Sequence, residues 1–188
     1  MSKKVLIPVL AILILVVFPA MYLMGQFNGM VSGQEWVTRG MSDIDTQLRR
    51  RADLIPNLIN TVKGYMDHEK TAIATVTQAR EKMLGAKTVG EKAAAEANLT
   101  RALGSFMIVV ENYPNLKANS NFIQLQDELA GTENRIATAR RDYNRAVQEF
   151  NLRIKRFPGL FLAPMFGFAE AEYFKTDEES KAVPNVKF

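Results

Sequence analysis

The uncharged run from Val5 to Met24 constrains this chain more than any other feature, since in its 20 residues only Pro8 and Pro19 fall outside the apolar set. As a helix rising 1.5 Å per residue it covers about 30 Å, the hydrocarbon thickness of a bilayer. Lys3 and Lys4 before it have the form of a signal-peptide n-region. Cleavage would need small residues at the exit, but Phe18-Pro19-Ala20 and Leu23-Met24-Gly25 place bulky ones there. With no cysteine there is no lipoprotein site either. The expectation is a retained signal anchor over residues 1–25, kinked near its end by Pro19. The two lysines precede the span and the next basic residue is Arg39, so the N-terminus is expected inside and the remainder outside.

Beyond the anchor the pattern is helical almost throughout. Val37, Met41, Ile44, Leu48, Ile55, Leu58, Val62 and Tyr65 recur at alternating spacings of four and three, with Arg51 as the polar beat. A second seam runs Leu99, Leu103, Phe106, Val110, Tyr113. A third runs from Phe122 through Leu125, Leu129, Thr132, Ile136, Ala139, Tyr143, Val147, Phe150 and Ile154 to Phe157. No alternation of period two appears, so no sheet is expected. Thr88 and Glu91 form a capping-box pattern after Gly85, placing a helix end near Leu84 and a start near Val89. Pro114 stops the second seam, Asn119-Ser120-Asn121 offers caps for the third, and Phe157-Pro158-Gly159 ends it. Gly64 and Asp67 mark a break in the first segment, whereas Pro56 falls where the seam continues in register and reads as a kink or a lost hydrogen bond. Gly25 to Gly33, with three glycines, reads as a weakened helix. The fold class expected is all-α: a transmembrane helix, then an antiparallel up-and-down four-helix bundle with long helices over 26–157.

Composition excludes much chemistry. Without cysteine there is no disulfide framework, thiolate metal site or cysteine nucleophile, and His68 is the single histidine. A di-metal carboxylate bundle would need Glu-x-x-His, but Tyr65 stands three residues before His68. Nucleophile elbows and phosphate loops are absent. Asp43, Asp45 and Asp53 would serve a carboxylate enzyme only if clustered in a pocket; Asp45 is equally well placed for a surface pair with Arg49. No catalytic, cofactor or metal residue is therefore assigned. The 24 basic and 20 acidic residues leave a net of +2 once Lys3 and Lys4 are set aside, no footprint for nucleic acid. Arg51 on the apolar seam, with Glu133 beside the Thr132 beat, is expected to form a buried ion pair that fixes helix register. The alternative is an arginine reaching solvent along its stem.

The segment 158–188 reads as an aromatic strap and polar tail. Phe157, Phe161, Phe166, Phe168, Tyr173 and Phe174 are crowded together, and Pro158, Gly159, Pro164 and Gly167 interrupt any regular helix. Two prolines within 12 residues make Phe157 to Phe168 too short and broken to span a bilayer. The rings either complete the bundle core or offer an interaction surface to lipid, a second copy or a membrane-protein partner.

These residues also resemble a known family. Phe27-Asn28-Gly29-Met30-Val31, Ser42-Asp43-Ile44-Asp45, Gln47-Leu48-Arg49-Arg50-Arg51, Asp53-Leu54-Ile55-Pro56-Asn57-Leu58, Thr61-Val62-Lys63-Gly64-Tyr65 and His68-Glu69 are similar to the N-terminal signature of LemA proteins. Tyr113-Pro114-Asn115-Leu116-Lys117-Ala118, Asn121-Phe122, Thr132-Glu133-Asn134, Ala139-Arg140, Tyr143-Asn144 and Phe166-Gly167-Phe168 continue the likeness. One departure is Met41, where such proteins usually carry tryptophan; Trp36 lies on a different face. The resemblance implies a single-pass protein of the bacterial inner membrane with a helical-bundle domain and no enzymatic activity, some relatives being associated with building magnetosome membranes. Two functions fit: a non-enzymatic, self-assembling scaffold at the cell envelope, or an adaptor for a membrane protease or envelope stress pathway.

Overall fold

A computed structural model describes residues 3–66 and 68–175, with side chains from residue 12 onward. Its elements are helices, with no strand among the described residues: α1 (Lys3–Lys63), α2 (Lys70–Gly85), α3 (Val89–Val110), α4 (Pro114–Lys117), α5 (Ser120–Lys155) and α6 (Gly159–Met165). Most ends fall where capping chemistry predicts. Thr88 accepts the Glu91 N–H through its hydroxyl, and the Glu91 carboxylate accepts the Thr88 and Lys87 N–H groups, so the capping box closes at the head of α3. The Asn119 side chain accepts from the Asn121 and Phe122 N–H groups at the head of α5. α1 stops at Lys63, and Tyr65 and Met66 N–H turn back to the Val62 carbonyl, so the stretch 34–83 is two helices. Asp67, the other half of the expected break, lies outside the described residues.

Pro56 sits inside α1 without ending it. A proline has no N–H to give the carbonyl four residues earlier, here that of the buried Ala52. Arg80 of α2 supplies the missing donor, its Nε standing 2.8 Å from the Ala52 oxygen. The expected loss of a hydrogen bond is thus present and is repaired from a neighbouring helix.

Two compact units divide the chain, one taking it up to Arg39 together with Arg145–Ala171, the other taking Gly40–Asn144 with the segment from Glu172 on. In the second unit Ile44, Leu48, Arg51, Ile55, Leu58 and Val62 of α1 are buried at the expected spacing, with Leu99, Leu103, Phe106 and Val110 of α3 and Phe122, Leu129, Thr132, Ile136 and Tyr143 of α5. α1 and α5 run antiparallel there: Gly40 faces Tyr143, while Arg51 reaches Glu133. A Cβ on Gly40 would stand 3.1 Å from the Tyr143 Cα, so glycine lets these backbones approach. Tyr65 does not continue the seam; it is exposed and Met66 is fully buried, because α1 has already ended.

In the first unit Met30 of α1, Phe150 and Ile154 of α5, and Leu162 and Ala163 of α6 form one apolar cluster, with Val37, Phe168 and Ala171 packed against it. Gly25 to Gly33 is helical as expected. α6 was not expected. Pro158 caps it, and Pro164 falls in its last turn, where the missing N–H forfeits only the bond to Leu160. The third seam closes at Ile154, since Phe157 lies past the end of α5 and is 82% exposed.

Candidate functional site: a buried charge network and an apolar corner

Arg51 is 2% exposed in the second unit. Its Nη1 stands 3.4 Å from Glu96 Oε1 and 3.0 Å from the Thr100 hydroxyl, both on α3, and its Nη2 stands 3.2 Å from Glu133 Oε2 on α5. The expected partner is therefore in contact, but it is the less buried one: the Glu133 side chain is 52% exposed against 9% for Glu96. Arg140 adds a second cation at 3.4 Å from Glu96 Oε2. Glu96 thus joins two guanidinium groups, and one arginine of α1 is held to α3 and α5 at once. Sequence reasoning missed Glu96 because it stands among alanines, Ala93 and Ala95 being buried beside it, and a lone acid in such a run reads as surface.

Nearby, Lys92 of α3 grips the Asp45 carboxylate of α1 at 2.6 Å and 2.7 Å, an ion pair between helices. Asp43, Asp45 and Asp53 do not gather: Asp45 lines a shallow recess with Leu48, Met83 and Lys92, while Asp43 lines another with Gln47, Asn134 and Asp142. Among the described residues no group of three or more acidic or histidine side chains is placed to hold a metal ion.

The six aromatic residues are divided between the two units. In the first unit Phe166 meets Phe27 edge-on at 5.0 Å between centroids, and Phe168 lies 5.9 Å from Phe27 and 6.3 Å from Phe150. Phe157 and Phe161 meet each other at 6.3 Å and are otherwise open. In the second unit Phe174 is buried, with the Arg140 guanidinium 5.9 Å from its ring, and Tyr173 is 38% exposed.

Asparagine side chains hold the chain that follows α6. In the first unit Asn151 both donates to the Ala171 carbonyl and accepts its N–H, each at 2.9 Å. In the second, Asn144 does the same for Phe174 at 3.0 Å and 2.9 Å, and the Tyr143 hydroxyl donates to the Glu172 carbonyl at 2.7 Å. Burial, with the Glu172 carboxylate as a smaller cause, pushes the Tyr143 phenol above its ordinary pKa. A side-chain amide can satisfy both groups of an extended residue, which keeps that backbone paired without a sheet. Asn151 is buried within an apolar seam, and that misplaced polarity was the available signal.

The LemA family model matches residues 40–188. The chain belongs to the LemA family. Among relatives of this LemA-family chain, magnetosome protein MamQ 2 of Paramagnetospirillum magneticum is 29% identical over 89% of the chain and 71% of the relative. Magnetosome protein MamQ of Magnetospirillum gryphiswaldense is 25% identical over 88% and 70%. Protein LemA of Metamycoplasma hominis is 26% identical over 71% and 61%. Membership covers the second unit and the strap residues, so the Arg51 network and the Asn144 clamp lie within the matched region.

The apolar run lies outside that match. In α1 the side chains from Ile12 to Met24 are open, the large ones ranging from 41% exposed at Val17 and Leu23 to 76% at Leu15. This is the one helix among those described that is long and apolar enough to cross a membrane. Together with family membership it marks a membrane-associated protein.

Proposed function

We propose that this chain is a non-enzymatic, membrane-anchored helical scaffold that self-assembles at the cell envelope. Residues 1–25 hold it in the bacterial inner membrane with the N-terminus inside, 26–157 form the helical body outside, and 158–188 supply the strap and tail. The body's second unit is an antiparallel four-helix bundle of α1, α2, α3 and α5. Support for that arrangement comes from Arg51, which ties α1 to α3 and α5, and from Arg80, which ties α2 to α1. Relatives that bear the name magnetosome protein support the membrane setting.

The observation that carries the proposal is α1 itself, since one helix without a linker holds both the open apolar run and the buried seam. Contact is the whole of the work: no nucleic acid, metal or cofactor takes part, and the partners are lipid, further copies and other membrane proteins. Light scattering of the full-length protein in detergent should show species larger than a monomer, growing with concentration. A monomer at every concentration would sink the scaffold and favour an adaptor. The chain has no cysteine, so Ser2→Cys and Ile108→Cys each give a single reporter of orientation. A membrane-impermeant maleimide added to intact cells or spheroplasts should label position 108 and not position 2.

A further inference from the structure

We infer that the outer face of α6 is a second membrane contact, an apolar wedge seated in the lipid headgroup layer beside the exit of the α1 span. Gly159, Leu162 and Ala163 turn inward onto the cluster of Met30, Phe150 and Ile154. The opposite face is equally apolar, because the sequence of α6, GLFLAPM, contains no polar side chain. Leu160 is 55% exposed, Phe161 65% and Met165 76%, and Phe157 before the helix is 82% exposed. A helix apolar all round belongs in a core or in lipid, and here one side only has a core.

Position favours lipid over a second copy as the cover. Phe166, directly after α6, packs on Phe27, which lies three residues past the last apolar residue of the span, Met24. Three residues of helix rise about 4.5 Å, and the headgroup layer is about 5–7 Å deep on each side of the hydrocarbon. At the other end of α6, Phe157 and Pro158 line one recess with Tyr22 and Gln26, from the last turn of the span and the turn after it, and with Arg156. The open face of α6 is thus continuous with the lipid-facing side of α1, all within one unit. Aromatic rings with a cation beside them match that layer, where rings sit at headgroup level and arginine meets lipid phosphate.

The inference rests on α1 crossing the bilayer, and the test separates the two. Trp36 is the single tryptophan, so Trp36→Phe gives a dark background in which Phe161→Trp, Leu15→Trp and Ile108→Trp are introduced one at a time. Each full-length variant is reconstituted in phosphatidylcholine–phosphatidylglycerol vesicles carrying a bromine or nitroxide quencher at shallow or deep acyl positions. F161W should emit to the blue of I108W, lose most of its intensity to the shallow quencher and little to the deep one, and resist acrylamide. L15W should be lost to the deep quencher. L15W quenched by lipid with F161W quenched only by acrylamide would overturn the wedge and leave the anchor standing. F161W shielded from both, and becoming exposed to acrylamide as protein is diluted in lipid, would overturn it in favour of a second copy. No lipid quenching at either position would overturn anchor and wedge together.

Discussion

Arg51 and Glu96 are both buried, and neither can lose its partner at low cost. Burying a charge is tolerated only when it is paired and hydrogen-bonded, and removing one member of a buried pair costs about 3–5 kcal/mol where the other is stranded; here Arg51 keeps Glu133 and Glu96 keeps Arg140, which places the cost at the lower end of that range. Glu133 is half exposed, and exposed pairs contribute about 0–1 kcal/mol. Arg51→Ala and Glu96→Ala should therefore each lower stability by several kcal/mol, whereas Glu133→Ala should cost about 1 kcal/mol or less. Double-mutant cycles by chemical denaturation should give a larger coupling for Arg51 with Glu96 than with Glu133; equal couplings would show that burial does not rank the two acids. The arginine was legible as a polar beat in an apolar seam. Its main partner was not, because Glu96 stands in a run of alanines and nothing local distinguishes it from a surface acid, whereas Glu133 adjoins the polar beat at Thr132.

Helix α1 holds together through Pro56 because the defect is repaired from outside it. Arg80→Ala should leave the buried Ala52 carbonyl without a donor, at about 1–3 kcal/mol. In a Pro56→Ala background the new N–H can reach that carbonyl, so the same substitution should cost much less; an unchanged cost would mean that Arg80 acts through something other than this bond. At the head of α3 the backbone N–H groups of Lys87 and Thr88, donated to Glu91, hold its carboxyl below its ordinary pKa of 4.5. A depressed carboxylate pKa means that the folded form prefers the charged state, so its stabilising contribution is present above pH 4.5 and is lost as pH falls below it. Amide exchange at Lys87 and Thr88, whose N–H groups the carboxylate accepts, should accelerate relative to mid-helix amides below that pH, and Glu91→Gln should remove the acceleration. Capping and breaking signals were readable because Thr88, Glu91, Asn119 and Gly64 act within a few residues of themselves. α6 was not, since Gly159 and Pro164 within it and Pro158 and Gly167 around it argue against a helix locally, and only the cluster around Met30 shows why one forms.

For the molecule as a whole, the seams made the helical class and the core of the second unit readable, because periodic burial is written into one helix at a time. The division of the chain was not, for the unit boundaries at Arg39 and Asn144 fall inside α1 and α5, where no composition shift or glycine-rich linker marks them. The chain after α6 shows what that division means for stability. Asn151 holds Ala171 in one unit and Asn144 holds Phe174 in the other, each through a pair of hydrogen bonds that nothing else in the backbone pattern replaces. If each clamp belongs to its own unit, Asn151→Ala should speed hydrogen exchange at the Ala171 amide and leave the Phe174 amide protected, and Asn144→Ala should do the reverse. Removing either leaves two backbone groups to find water, worth about 1 kcal/mol for each bond lost, which is enough to raise local exchange roughly tenfold or more without unfolding the helices. Loss of protection at both amides from either substitution would show instead that 171–174 opens as one segment.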